Sequence, residues 1–134
     1  MSDGAMLRVK SFIRGYHEYM DIWVPNVEDK YELKREPENK DPNAVAIVRP
    51  GPREENHLGN DHEVLGHVPK LMAIWLTKFL KRGTNDGKAV VKGKRINRGG
   101  GYGLEVPCEY HFTGDKFSIT WLETKLQKEG FECN

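Results

Sequence analysis

The stretch Leu33–Val48, LKREPENKDPNAVAIV, constrains the fold more than any other part of the chain. A charged strand, Tyr31–Arg35, runs into a turn rich in Pro, Asn and Asp, and the chain leaves it as a nearly pure apolar strand, Asn43–Val48. Such a pair is expected to form a sheet hairpin with Asn39, Asp41 and Asn43 at its lip. Short polar side chains in a turn either bond their own backbone or present donors and acceptors to a ligand. The residues alone leave both roles open.

Most of the remaining chain also reads as strands. Leu7–Tyr19 is rich in aromatic and β-branched residues, and Glu63–Val68 forms another extended run closed by Pro69. Proline suits the first position of a helix. Pro69–Arg82 carries Met72, Ile74, Trp75, Leu76, Phe79 and Leu80 at the spacing of one helical face, which predicts core packing. Gly83 follows, where a left-handed cap is expected. Lys88–Lys94 and a strand pair over Leu104–Phe112 come next, with the glycine-rich Gly99–Gly103 between them. That run lacks the Lys-Ser/Thr of a phosphate loop and opens onto a strand, so a hairpin or bulge is expected. A last helix is predicted from Asp115 as N-cap to Glu129. Ile119, Leu122 and Leu126 lie on one of its faces, Gly130 is placed at C′ and Phe131 packs back. The fold class expected is mainly β with two helices, a small, partly open β-barrel.

Composition excludes several classes. The 134 residues suffice for one domain with its own core, expected over residues 7–132 with a flexible segment 1–6. No apolar run approaches the roughly 20 residues of a membrane helix. The N-terminus lacks the pattern of a secretory signal, so an intracellular place is expected. Cys108 and Cys133 show no metal spacing, and Cys108 sits in an apolar strand as an inert thiol. His57, Asp61 and His62 lie close together but in a loop, so no metal site is expected. No GxSxG, HExxH or Walker motif appears, and neither an enzyme nor a cofactor is indicated. Net charge is only +1, yet Lys78, Lys81, Arg82, Lys88, Lys92, Lys94, Arg95 and Arg98 face the single acid Asp86 within one stretch. That stretch is either a solvated hairpin or a polyanion-facing surface.

Three segments in this order and spacing, REPENKDPNAVAIV, LGHVP and LQKEGF, resemble the HIRAN domain family. The segment Arg14–Trp23, RGYHEYMDIW, is similar to a metazoan subgroup of it. The resemblance covers roughly Val9 to Phe131. It implies a barrel similar to an OB-fold or SH3-like barrel and a non-enzymatic module that holds the 3′-hydroxyl end of single-stranded DNA. In that pattern Asp41 meets the terminal hydroxyl, and Asn43 and Ala44 complete its turn. His67 lies along the DNA backbone, and Lys70 follows it as a phosphate contact. Tyr16, His17 and Tyr19 stand where first-strand aromatics stack on bases, and Leu104 supplies an apolar contact beside Tyr102. Lys40 occupies a position that is aromatic in the family. The resemblance further implies a nuclear, monomeric module that can be fused to a catalytic domain. A peptide-binding module using the same groove is the alternative.

Overall fold

The computed structural model describes residues 4–15, 24–50, 62–97 and 104–134. Strand β1 spans Gly4–Ile13, β2 Lys30–Arg35, β3 Val45–Pro50 and β4 His62–His67. Helix α1, Lys70–Leu80, precedes β5, Asp86–Val91, the short β6, Ile96–Asn97, and the long β7, Leu104–Asp115. Helix α2, Lys116–Lys128, and β8, Glu132–Cys133, complete the chain.

One antiparallel sheet runs in the order β4-β3-β2-β5-β7-β1-β8, with β6 paired to β7. Its two sides meet again where Arg14, just past β1, bridges His67 at the end of β4. Farther along β1, Val9 and Lys10 pair with β8 instead. A sheet that rejoins itself at one bridge is a partly open barrel, as expected from the short curled strands. Mainly β with two helices is the architecture found.

Alternation explains which residues enter the barrel. Leu7, Val9 and Ile13 of β1 are buried while Arg8 and Lys10 are exposed, so odd positions face inward. On β7 the inward set is Val106, Cys108, Tyr110 and Phe112. Tyr110 is stacked on Phe112 with ring centroids 6.2 Å apart, and its hydroxyl donates to the Phe12 carbonyl at 2.7 Å. Burial pushes its phenol well above the usual range, and pushes the neighbouring Cys108 thiol up to about 12. Cys108 is therefore the inert core thiol its context indicates.

The last helix follows its expected outline. Asp115 caps it, its Oδ1 accepting from the Ser118 N–H at 2.8 Å, and Ile119, Leu122 and Leu126 are buried. Gly130 has φ +92°. Phe131 N–H donates to Leu126 O and Gly130 N–H to Gln127 O, each at 3.0 Å. These two bonds are the pair that closes a helix through a left-handed residue.

Other expectations shift. Gly4–Met6, expected to be flexible, continue β1 against Thr113–Asp115. The strand pair over Leu104–Phe112 is one strand of 12 residues. Gly83 does not take positive φ, because α1 ends earlier and Lys81, still right-handed, donates its N–H to Phe79 O. Ile74 is exposed on α1, because the core of that helix is centred on Met72, Ala73 and Leu76. The basic stretch is divided among α1, β5 and the following turn, and Lys92 within it bonds Glu28 at 2.9 Å. Arg98 lies outside the described residues. No helix among the described residues is long and apolar enough to cross a membrane.

Candidate functional site

The turn between β2 and β3 is built by its own side chains. Asp41 N–H donates to Asn39 Oδ1 at 3.1 Å, and Asn43 N–H donates to Asp41 Oδ1 at 3.0 Å. Asn and Asp fold turns this way because their short side chains reach the backbone two residues on. Glu36 N–H donates to Ala44 O and Ala44 N–H to Asp41 O, both at 2.9 Å, which ties the stem. Local self-bonding, one of the two roles open from the sequence, is thus present. It also ties the Asp41 carboxylate to the turn through Oδ1, the one oxygen it commits among the described residues.

Glu36 joins this turn to the place where the barrel closes. Its Oε1 lies 2.6 Å from His67 Nε2 and 3.3 Å from Asn39 Nδ2. An ionised carboxylate only accepts hydrogen bonds, so Nε2 carries the proton of that contact. The backbone of His67 exchanges two 2.8 Å hydrogen bonds with Arg14. Gly66 makes the closure feasible, since a Cβ there would stand 2.5 Å from Ile13 Cγ2 and 2.7 Å from Arg14 O. Gly15 follows with φ +76°, a left-handed conformation that favours glycine. The glycines beside Arg14 and His67 therefore both serve the closure.

Arg14 adds a buried ion pair. Its Nε donates to Glu105 Oε2 at 3.0 Å, and the Glu105 side chain is fully buried. Leu104, half-buried and packed on the core, precedes this glutamate at the start of β7. Lys70 is exposed as the first residue of α1, a helix whose first turn holds no acid and whose N-terminus has no side-chain cap. A helix N-terminus of that kind favours negative charge. Lys70 and Arg14 share a groove of 610 Å³ with Phe12 and Phe131.

Asp41, Asn43, Ala44 and His67 are accordingly brought together through Glu36, and Lys70 follows His67 at the start of the helix. Leu104 is packed on the core at the start of β7, next in sequence to Glu105. Tyr16, His17, Tyr19 and Tyr102 lie outside the described residues. Lys40 is exposed at the tip of the turn. Sequence reasoning missed Glu36, Arg14 and Glu105 as parts of this arrangement. A lone acid at the head of an apolar strand, Leu-Glu-Val-Pro, was the one available sign of Glu105. Nothing local marks Glu36 as the partner of His67. Among the described residues no group of His, Cys, Asp and Glu could hold a metal ion.

The sequence model of the HIRAN domain family matches residues 9–110. No curated protein matches the chain. Among solved structures, the crystal structure of the HIRAN domain of human HLTF is similar, with a TM-score of 0.67 and 22% identity, covering 98% of this chain and 97% of that one. An NMR structure of the HLTF HIRAN domain has a TM-score of 0.64 and 23% identity, covering 97% of this chain and 94% of that one. A further NMR structure, of that domain in its DNA-bound conformation, has a TM-score of 0.61 and 22% identity, with 97% and 94% covered.

Proposed function

Because the chain belongs to the HIRAN domain family, we propose that it is a nucleic-acid-binding module without catalysis of its own, which holds the 3′-hydroxyl end of single-stranded DNA. The observation that carries this reading is the Asp41 carboxylate, fixed through Oδ1 by the Asn43 N–H in a turn that Glu36 ties to His67. A relative of the same fold has been solved in its DNA-bound conformation, which supports DNA as the ligand.

Each residue has a distinct task. The second Asp41 oxygen accepts the terminal O–H, and the same charge repels a terminal phosphate. Asn43 and Ala44 keep the turn tight and its rim small. His67, Lys70 and Lys40 meet the phosphates that follow, with Glu36 holding the His67 ring through Nε2. Tyr16, His17 and Tyr19 offer base stacking, worth about 1–3 kcal/mol per base and tolerant of sequence. Leu104 forms an apolar wall.

Fluorescence anisotropy with one short oligonucleotide, ending in either a 3′-hydroxyl or a 3′-phosphate, tests the reading. The hydroxyl form is expected to bind more tightly at low salt, and Asp41→Ala to abolish the difference. A hydrogen bond to a charged group contributes about 1.5–3 kcal/mol, so the hydroxyl form should lose about tenfold or more in affinity. Absence of binding to either oligonucleotide at tens of micromolar protein would sink the proposal. Binding of a peptide with no dependence on salt would favour the peptide groove instead.

A further inference from the structure

The end of α1 far from the turn carries a feature that an oligonucleotide does not use. Lys78, Phe79 and Arg82 of α1 and its following turn, with Phe117 and Trp121 of α2, line a cleft of 320 Å³. At about 1.5 Å of rise per residue, it lies about 15 Å along the helix from Lys70.

Two observations point to a ligand there. Phe117 is 71% exposed, more than any other large apolar side chain among the described residues. Leaving its ring in water forgoes burial that would favour folding. Charge is the second. Lys78 and Lys125 stand over the Trp75 ring at 5.3 and 5.1 Å, and Arg82 borders the cleft. Asp115, whose oxygens accept from the Ser118 N–H and hydroxyl, both at 2.8 Å, meets part of the Arg82 charge, and Arg82 also donates to Ser118 Oγ at 3.4 Å.

We infer that this cleft docks an acidic segment of a partner protein. One bulky apolar side chain enters beside Phe117 and Trp121, and carboxylates meet Lys78 and Arg82. Aromatic and basic side chains could also hold a nucleotide. The same face of α1 continues, however, through the exposed Ile74 and Leu71, aliphatic side chains that suit a peptide better than stacked bases. Acidic sequence with one apolar anchor is the chemistry complementary to such a surface.

The test pans a random peptide library displayed on phage against the full chain, then measures a selected synthetic peptide on wild type, Arg82→Glu and Phe117→Ser. Both side chains are surface groups, and circular dichroism checks that each variant keeps its fold. Selected peptides should carry an aromatic or leucine flanked by Asp and Glu, and both variants should weaken binding about tenfold or more. Binding of the 3′-hydroxyl oligonucleotide should be unchanged in both, which separates this site from the turn. The inference is overturned by absence of enrichment, by enrichment of basic peptides, or by a peptide affinity indifferent to both variants. Displacement of the peptide by an oligonucleotide that still binds the Asp41→Ala variant would make the cleft a nucleic-acid surface and overturn it equally.

Discussion

Replacing Gly66 by alanine probes the barrel closure and the site together. The new Cβ would meet Ile13 Cγ2 at 2.5 Å and the Arg14 carbonyl oxygen at 2.7 Å, and a backbone oxygen cannot swing aside. Relief requires β1 and β4 to part, which breaks the two 2.8 Å hydrogen bonds between Arg14 and His67. Those bonds contribute about 1 kcal/mol each, and overpacking beside Ile13 adds about 1–3 kcal/mol, for a loss of about 3–5 kcal/mol. Unfolding entropy scales with length, so for 134 residues it is about 0.28 kcal/mol/K and Tm should fall by about 10–18 °C. Thermal unfolding followed by circular dichroism measures this. Gly83→Ala is the matched control, because no atom lies within 4 Å of its Cβ position and its φ is not positive. There the change should be neutral or mildly stabilising. The Gly66 variant, assayed well below its Tm, should also lose oligonucleotide affinity, since His67 moves with the strand. A loss below about 1 kcal/mol would refute the closure argument, and wild-type binding by a destabilised variant would refute the place given to His67.

Four further outcomes follow from the same geometry. Arg14→Met removes the cation paired with Glu105, whose side chain is fully buried, and should cost about 3 kcal/mol in urea denaturation, at the low end for a broken buried pair because the guanidinium is partly exposed. Lys70→Ala should weaken oligonucleotide binding and reduce the log–log salt slope by about 0.7, the value for one phosphate contact on a single strand. The Ser118 N–H holds the Asp115 carboxyl below its ordinary 3.8. A folded-state value below the unfolded one means that this contribution is full above the unfolded pKa and is lost as pH falls through the folded one. Urea midpoints measured down the acid range should therefore fall less steeply for Asp115→Asn than for wild type. Finally, with its thiol pushed up to about 12 by burial, Cys108 should resist maleimide in the native protein at neutral pH, while half-buried Cys133 reacts faster. Mass spectrometry of the partly labelled chain would show the order.

What could be read in the sequence was local. Asn39 and Asp41 bond atoms two residues away, and the helix closes at Gly130 through bonds that reach three and five residues back, so all of these contacts are local. The strand-rich order of elements and the buried stripe of α2 follow from periodicity in the same way. Helix α1 was legible only in part. Apolar residues occur on both sides of it, and only packing against the barrel separates Met72 and Leu76, which are buried, from Ile74, which is not.

The sequence by itself determined a mainly β chain with a polar turn, two helices and the motifs of its family, because each depends on neighbours along the chain. Tertiary structure alone decided what that turn faces. The Arg14–His67 bridge joins residues from strands far apart in sequence, Glu36 reaches His67 across the sheet, and the basic stretch is scattered because a helix and a strand carry its members in different directions. Pairings of that kind depend on how strands curl and close in space, and alternation along any one strand carries no record of them. Asp41 was thus visible as a turn residue from the start, and its tie to the closing strand emerged only with the barrel.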